Sequence, residues 1–438
     1  MVYPETVHWF TIGEAMQSGS MYYDIWDALA PFSATVYMVV TWLFGRSVLA
    51  LLIIGSVLTF IQALIINAFS INAKLFENNS NLPALVFVLL TSTSPAFFTL
   101  SPALLGLTFI LLGLGKLLSH VEFRAKKDMH IIMIGLYFGV APLFFLPYIV
   151  IIPISLILLG LFSNTVLRRY LLLLFSSATP LLISFFYYWV ISDHPGYFID
   201  NFILFNNKDA FYHSISWLER IEILSFSMFF LVLGILSFGK QRRLTNYQNR
   251  IMQLFVVLGI LLTFILFLEK PVTPYGLVFI LPVAAFFTTH FISLFKKRVF
   301  SLILSILLFL GPTALLWSYS TKFIDIASVK VNSLTKSKYL TSVKGKKIMV
   351  LGSAKNVYDE AKLAGPFYDW GLSKQFFTEL DYYDNLIFLQ NHIEASMPEI
   401  IIDLENNWPK ISKRLPQISK RYHQVEPTIW VLKTNTIK

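Results

Sequence analysis

Cysteine is absent from all 438 residues. That excludes disulfide staples and thiolate metal sites, and it agrees with an oxidising compartment without requiring one. Charge is also scarce: Asp, Glu, Lys and Arg make up 14% of the chain, against roughly a quarter in soluble domains. A wholly soluble fold is thereby excluded. The opening residues are polar and aromatic, so no cleavable signal peptide is read there. What is abundant is apolar, with 56% hydrophobic residues and a mean hydropathy of +0.65. The chain reads as a polytopic α-helical membrane protein. A formal net charge of +10 would suggest nucleic acid for a soluble protein. Here much of it lies in short loops between apolar runs, where it sets orientation, and no nucleic-acid partner is expected.

Crossing a bilayer takes roughly 17–25 apolar residues. Runs of that kind fall at about 47–72, 98–119, 165–191, 221–238, 251–268, 275–292 and 299–318. A shorter run at 82–95 ends in Thr-Ser-Thr-Ser-Pro, and 131–162 splits near Ala141-Pro142 and Pro147 into two. Counted together they predict about ten spans. Prolines 95, 102, 142, 147 and 153 predict kinked or interrupted helices. Basic loops carry Arg124, Lys126 and Lys127, then Arg168 and Arg169, then Lys240, Arg242, Arg243 and Arg250, then Lys296, Lys297 and Arg298. They alternate with loops poor in basic residues. The positive-inside rule then places residues 1–46 and the tail outside the cytoplasm.

Three domains are expected: an extracytoplasmic loop with juxtamembrane helices (1–46), a transmembrane helical domain (47–320) and an extracytoplasmic α/β domain (321–438). In the last, strand-like Lys347–Val350, Glu399–Asp403 and Thr428–Lys433 alternate with helical stretches at 373–395 and 407–423. The turn at Gly352 has too little glycine for a dinucleotide fingerprint. No catalytic cluster shows in the tail, so a lid or a docking surface for a protein partner is expected of it.

The opening segment is the densest in chemistry. Pro4, a helical run and then Gly19 predict a short helix. On it Glu5 heads a face with Trp9, Ile12 and Met16, while Glu14 points the other way. An acid leading an apolar stripe is expected to face the protein interior. A favourable interaction with the helix N-terminus explains the same residue.

The run Glu5…His8-Trp9…Gly13-Glu14…Gly19…Met21-Tyr22-Tyr23-Asp24-Ile25-Trp26-Asp27…Ala30-Pro31-Phe32 resembles the first extracytoplasmic loop of GT-C fold integral-membrane glycosyltransferases. These are the enzymes related to dolichyl-phosphate-mannose mannosyltransferases and the bacterial aminoarabinose transferases. Lys270-Pro271…Pro274-Tyr275-Gly276…Leu281-Pro282 resembles the family's segment entering a late span. The resemblance normally includes a membrane helix ahead of the first loop. This sequence opens at the loop, so that helix is expected upstream of residue 1 or lost, with activity in doubt if lost. The family's acid is often one of an adjacent pair, whereas Glu5 follows Pro4, so a partner acid is sought at Asp24.

The resemblance implies a polyprenyl-phosphate sugar donor in the membrane lipid and a glycan, lipid or protein hydroxyl as acceptor. Transfer would invert the anomeric centre, at the outer face of a bacterial inner membrane. A carboxylate must take the acceptor's proton, with Glu5 expected first and Asp24 second. Something positive must hold the departing phosphate: Lys270 beside Tyr275 is the candidate, or else an interfacial lysine that snorkels, and Arg46 has the same two readings. Tyr22, Tyr23 and Trp26 are sugar-stacking candidates or members of an interfacial belt. His8 and Glu14 complete the substrate-binding set, His8 also reading as a simple polar contact. No metal site is expected, although Asp24 and Asp27 at i and i+3 leave a divalent cation open. The rival functions are a lipid-linked glycan transporter or flippase, disfavoured by nearly charge-free spans, and a catalytically silent subunit of an envelope assembly.

Overall fold

Helices account for every apolar run. They are seen in a computed structural model that describes the chain outside residues 1–3, 77–79, 123–127, 164–165, 193–195, 205–214, 238–244, 269–271, 295–297, 321–342 and 434–438. In chain order the helices are α1 (Pro4–Ala15), α2 (Pro31–Phe44), α3 (Val48–Asn72), α4 (Leu82–Thr91), α5 (Pro95–Phe98), α6 (Pro102–Glu122) and α7 (Asp128–Val140). Then come α8 (Ile151–Ser163), α9 (Leu167–Ser192), α10 (Gly196–Phe198), α11 (Trp217–Leu236), α12 (Asn246–Leu268), α13 (Leu281–Ser293) and α14 (Arg298–Ser320). Two units emerge. One comprises Met1–Val48, Phe185–Tyr212 and Val331–Lys438, and the other Leu49–Ser184 and His213–Lys330.

Among the described residues six segments are long and apolar enough to cross a membrane: Val48–Asn72, Pro102–Val121, Leu146–Ser163, Leu167–Ile191, Asn246–Leu268 and Pro274–Ser293. Four apolar helices are shorter, Pro31–Phe44, Leu82–Thr91, Asp128–Leu143 and Leu302–Ser318. Helix α11 has the length but spends its first two turns on Glu219, Arg220 and Glu222. The protein is thus an integral membrane protein. The run at 131–162 does break where the prolines stand, in 3-10 turns Ala141–Leu143 and Leu146–Val150. Pro95 and Pro102 do not kink helices but begin them. A proline in the first turn gives up only an N–H that has no intrahelical partner. The interior prolines are Pro180 of α9 and Pro312 of α14.

The helical unit is centred on Pro274–Ser293, 89% of whose apolar window is buried. Its helix α13 packs on α11, α4 and α12. Gly234 makes the α11 contact possible: a Cβ there would meet the Phe287 carbonyl oxygen at 2.5 Å. Where lipid is as apolar as leucine, such backbone approach is what holds helices together.

In the other unit, the α/β part carries strands β1 (Lys347–Leu351), β2 (Lys362–Leu363), β3 (Ile400–Asp403), β4 (Tyr422–Glu426) and β5 (Ile429–Leu432), in the order β2-β1-β3-β5-β4. Strand β1 is parallel to β2 and β3, whereas β5 is antiparallel to β3 and β4. The expected helix at 373–395 is two, α15 (Trp370–Thr378) and α16 (Tyr383–Ser396). The one expected at 407–423 is α17 (Trp408–Arg414) and α18 (Pro416–Ser419). Pro416 breaks it by disfavouring the helical conformation at Leu415. The chain beyond Ser419 turns into β4, not more helix.

Residues from the first and last parts of the chain share a core. Trp26 is buried with Met349, Leu351, Phe367, Trp370, Phe377 and Leu389. Its indole lies 5.0 Å from the Phe388 ring and 4.8 Å from that of Phe376. The backbone seals the junction: Trp26 N donates to Pro366 O at 2.9 Å, and Asp369 N donates to Trp26 O at 3.3 Å.

Candidate functional site

Helix α1 is buried nearly all round. Glu5, Thr6, Val7, Trp9, Phe10, Thr11 and Ile12 are all enclosed, so the one-sided stripe expected from the sequence is replaced by an interior helix. Trp9 stacks on Tyr37 of α2, with ring centroids 5.2 Å apart and planes within 5°. Gly13 lets the two helices meet, since a Cβ there would lie 2.6 Å from the Tyr37 carbonyl oxygen. Glu5 retains only 3% exposure, which places a carboxylate inside the protein. Three residues on, His8 keeps 11% side-chain exposure and bonds through Nε2 to Asp27 Oδ1 at 2.9 Å. A carboxylate only accepts, so Nε2 carries the proton in this pair.

Asp27 is the residue that sequence reasoning undervalued. It is 1% exposed, and its Oδ1 also accepts from Leu29 N at 2.7 Å. Burial alone would raise its carboxyl. The charge and hydrogen bond of His8, the Lys355 ammonium and the Leu29 amide outweigh that and hold it below the ordinary 3.8. Lys355, the first residue of the 3-10 turn Lys355–Asp359 in the α/β part, was not anticipated. Its Nζ donates to Asp369 Oδ2 at 2.7 Å and lies 4.9 Å from the Tyr368 ring centre. Burial pushes Lys355 below its usual 10.5, while Asp369 and Asp27 pull the other way. Asp369 is fixed in turn as the N-cap of α15, accepting from Gly371 N and Leu372 N. Tyr368 stacks on His8 at 5.4 Å and 9°, so His8, Asp27, Lys355, Tyr368 and Asp369 form one buried polar group.

The other expected residues are placed as follows. Asp24, second choice as base, is exposed and accepts from Ser20 N at 2.7 Å in a turn. That turn closes tightly enough that a Cβ on Gly19 would meet the Asp24 Cβ at 2.9 Å. Glu14 holds Arg46 in a two-pronged pair of 2.8 and 2.9 Å. Arg46 also donates to the carbonyls of Tyr358, Asp359 and Ala361, so its guanidinium neither snorkels nor stands open to a phosphate. Tyr22 is buried with φ of 69°, its hydroxyl donating to Leu29 O at 2.7 Å. Trp26 has its faces taken by phenylalanines of the α/β part, as above. Tyr23 is the aromatic left exposed, at 42%. Tyr275 belongs to the other unit, buried in the 3-10 turn Pro274–Ile280 with Phe145 5.7 Å away. Lys270 lies outside the described residues.

Of the two aspartates raised by the sequence, Asp24 accepts from Ser20 N, and Asp27 meets His8 and Leu29 N through Oδ1, with the Lys355 ammonium acting on it. Among the described residues, no three His, Asp or Glu side chains gather for a metal.

No family model matches the sequence, and no curated protein matches it. Solved structures do match. ArnT from Cupriavidus metallidurans bound to undecaprenyl phosphate superposes with a TM-score of 0.60 at 11% identity, over 100% of this chain and 94% of that one. The same protein in the apo state gives 0.58 at 11% identity, over 99% and 93%. An oligosaccharyltransferase from Archaeoglobus fulgidus aligns at 0.48 and 12% identity, over 95% and 68%. The ArnT superposition runs the whole length, from the buried α1 through the apolar helices to the α/β part. In architecture, therefore, this chain has the fold of the GT-C integral-membrane glycosyltransferases.

Proposed function

We propose that the protein moves a sugar from a polyprenyl-phosphate donor to a hydroxyl of a glycan, lipid or protein acceptor, at the outer face of the membrane. The observation that carries this reading is the burial of Glu5 on α1, in a chain whose fold matches an ArnT structure bound to undecaprenyl phosphate. In the proposed step the acceptor oxygen attacks the anomeric carbon as the bond to the phosphate oxygen breaks, inverting the centre. The bonding pair leaves with the polyprenyl phosphate, and the acceptor's proton passes to the Glu5 carboxylate. Positive charge near the leaving phosphate favours departure, and Lys270 is the candidate the sequence offers for it. The α/β part, knitted to the α1 segment through Trp26 and Arg46, supports that segment's geometry.

The test is transfer from a panel of undecaprenyl-phosphate sugars by the full chain in lipid nanodiscs. Glu5→Gln is expected to lower turnover by about 10²- to 10⁴-fold while binding of undecaprenyl phosphate persists. Undiminished transfer by that variant would remove Glu5 as the base. Absence of transfer by the wild-type protein across the panel would favour the subunit or transporter readings.

A further inference from the structure

The His8–Asp27 pair lies in the N-terminal segment, yet part of what holds it comes from the α/β part of the same unit. Asp27 Oδ2 is buried without a hydrogen-bond partner among the described residues, and besides His8 the cation acting on Asp27 is Lys355. Lys355 is itself anchored by Asp369, which two backbone amides fix at the start of α15. The Tyr368 ring touches both ends of this chain of contacts, stacked on His8 and facing the Lys355 ammonium.

We propose that Lys355 is a positioning residue of the transfer reaction. From the α/β part it holds Asp27 and Tyr368, and through them the His8 ring and the face of α1 that carries Glu5. This rests on the reading of the protein as a glycosyltransferase with its base on α1. The physical ground is that a buried carboxylate keeps one geometry only while its countercharges stay in place. Removing the ammonium leaves Asp27 with the Leu29 amide and a single charged partner, His8, and frees Tyr368 on one side. Misplacement by about 1 Å at a distance from the chemistry is enough to cost about 100-fold in rate. The α/β part is thereby a constituent of the site, beyond the lid or docking role expected from its sequence.

The experiment compares Lys355→Met, Lys355→Arg and, as a control, Lys362→Met at an exposed residue of β2, each as the full chain in nanodiscs. In sugar transfer, Lys355→Met is expected to lower kcat by about 10- to 100-fold with the donor KM changed by less than about threefold. Lys355→Arg should recover most of the loss, and Lys362→Met should match wild type. A second readout needs no activity. In protein labelled with 15N-histidine, the ring N–H resonance of His8, identified by its loss in His8→Gln, should shift or vanish in Lys355→Met and persist in Lys362→Met. An unmoved His8 resonance in Lys355→Met overturns the proposal whether or not the protein transfers sugar. A moved resonance with unchanged kcat also overturns it, by denying the coupling any part in the reaction. Failure of the wild type to transfer any sugar overturns the enzymatic reading instead, and the His8 resonance then still shows whether Lys355 acts on this pair.

Discussion

The helical unit and the unit built from the chain's ends bury different kinds of matter. Around α13 the contacts are mostly aliphatic and aromatic, with Thr288, Thr289 and His290 buried among them, and backbone approach at Gly234 closes them. Around α1 a carboxylate, an imidazole, an ammonium and a second carboxylate lie under cover together, in a frame of tyrosines and tryptophans. The first unit relies mainly on shape, and among the polar groups it buries, Arg220 and Gln62 are met by the Leu266 and Leu104 carbonyls. The second must satisfy polar groups in pairs, because an unpaired buried charge costs more than the pair gives back. Chemistry is therefore expected where opposite charges are kept buried together at some cost.

Four substitutions break or sharpen that contrast. The largest effect is expected for Trp26→Ala, which empties the centre of an aromatic core and should cost about 3–5 kcal/mol. Proteolysis should then cut the α/β part first, with helix content by circular dichroism largely kept. Gly234→Leu is the converse, forcing a side chain against the Phe287 backbone at about 1–3 kcal/mol. It should lower the thermal midpoint of helix loss and leave the His8–Asp27 resonance in place. Asp27→Asn is expected to act through pH. The folded carboxyl sits below the ordinary 3.8, so its ionised form favours the fold. That contribution is complete above about pH 5 and is lost as pH falls through the lowered value. The variant should be less stable at neutral pH and show a flatter acid limb in melting curves from about pH 5 to pH 3. Arg414→Ala breaks an ion pair with Asp381 at the surface and should change stability by less than about 1 kcal/mol. A larger change would mean that the surface of the α/β part is organised as tightly as its interior.

Much of this was legible beforehand. The apolar helices were, because a long apolar run has few other fates, although six of the about ten expected spans are long and apolar enough to cross among the described residues, and the break within 131–162 showed in its prolines. Strand β4 was not legible: after Tyr422 its residues are exposed, so no alternation marks it, and the basic residues before it read as a continuing helix. Pro416 was the available signal. Two-residue β2 exists only by pairing with β1. At the site, the density of acids and aromatics near the amino terminus was visible, and Glu5 was singled out from its helical position. Which aspartate is buried was not visible, since His8 and Asp27 are 19 residues apart and only the tertiary fold encloses Asp27 and leaves Asp24 exposed. Lys355 carried no local mark at all, and Trp26 read equally well as a sugar platform or a core residue.

Trp26 also bears on how the protein comes to exist. Trp26 leaves the ribosome about 300 residues ahead of the sheet domain whose centre it fills. The segment around Trp26 must wait, unsatisfied, through synthesis of the helices from α2 to α14 before its socket is made. A fragment starting near Val343 would leave Phe367, Phe376 and Phe388 around an open hole and should be insoluble. Supplying residues 4–30 as a separate peptide offers a route to rescue it.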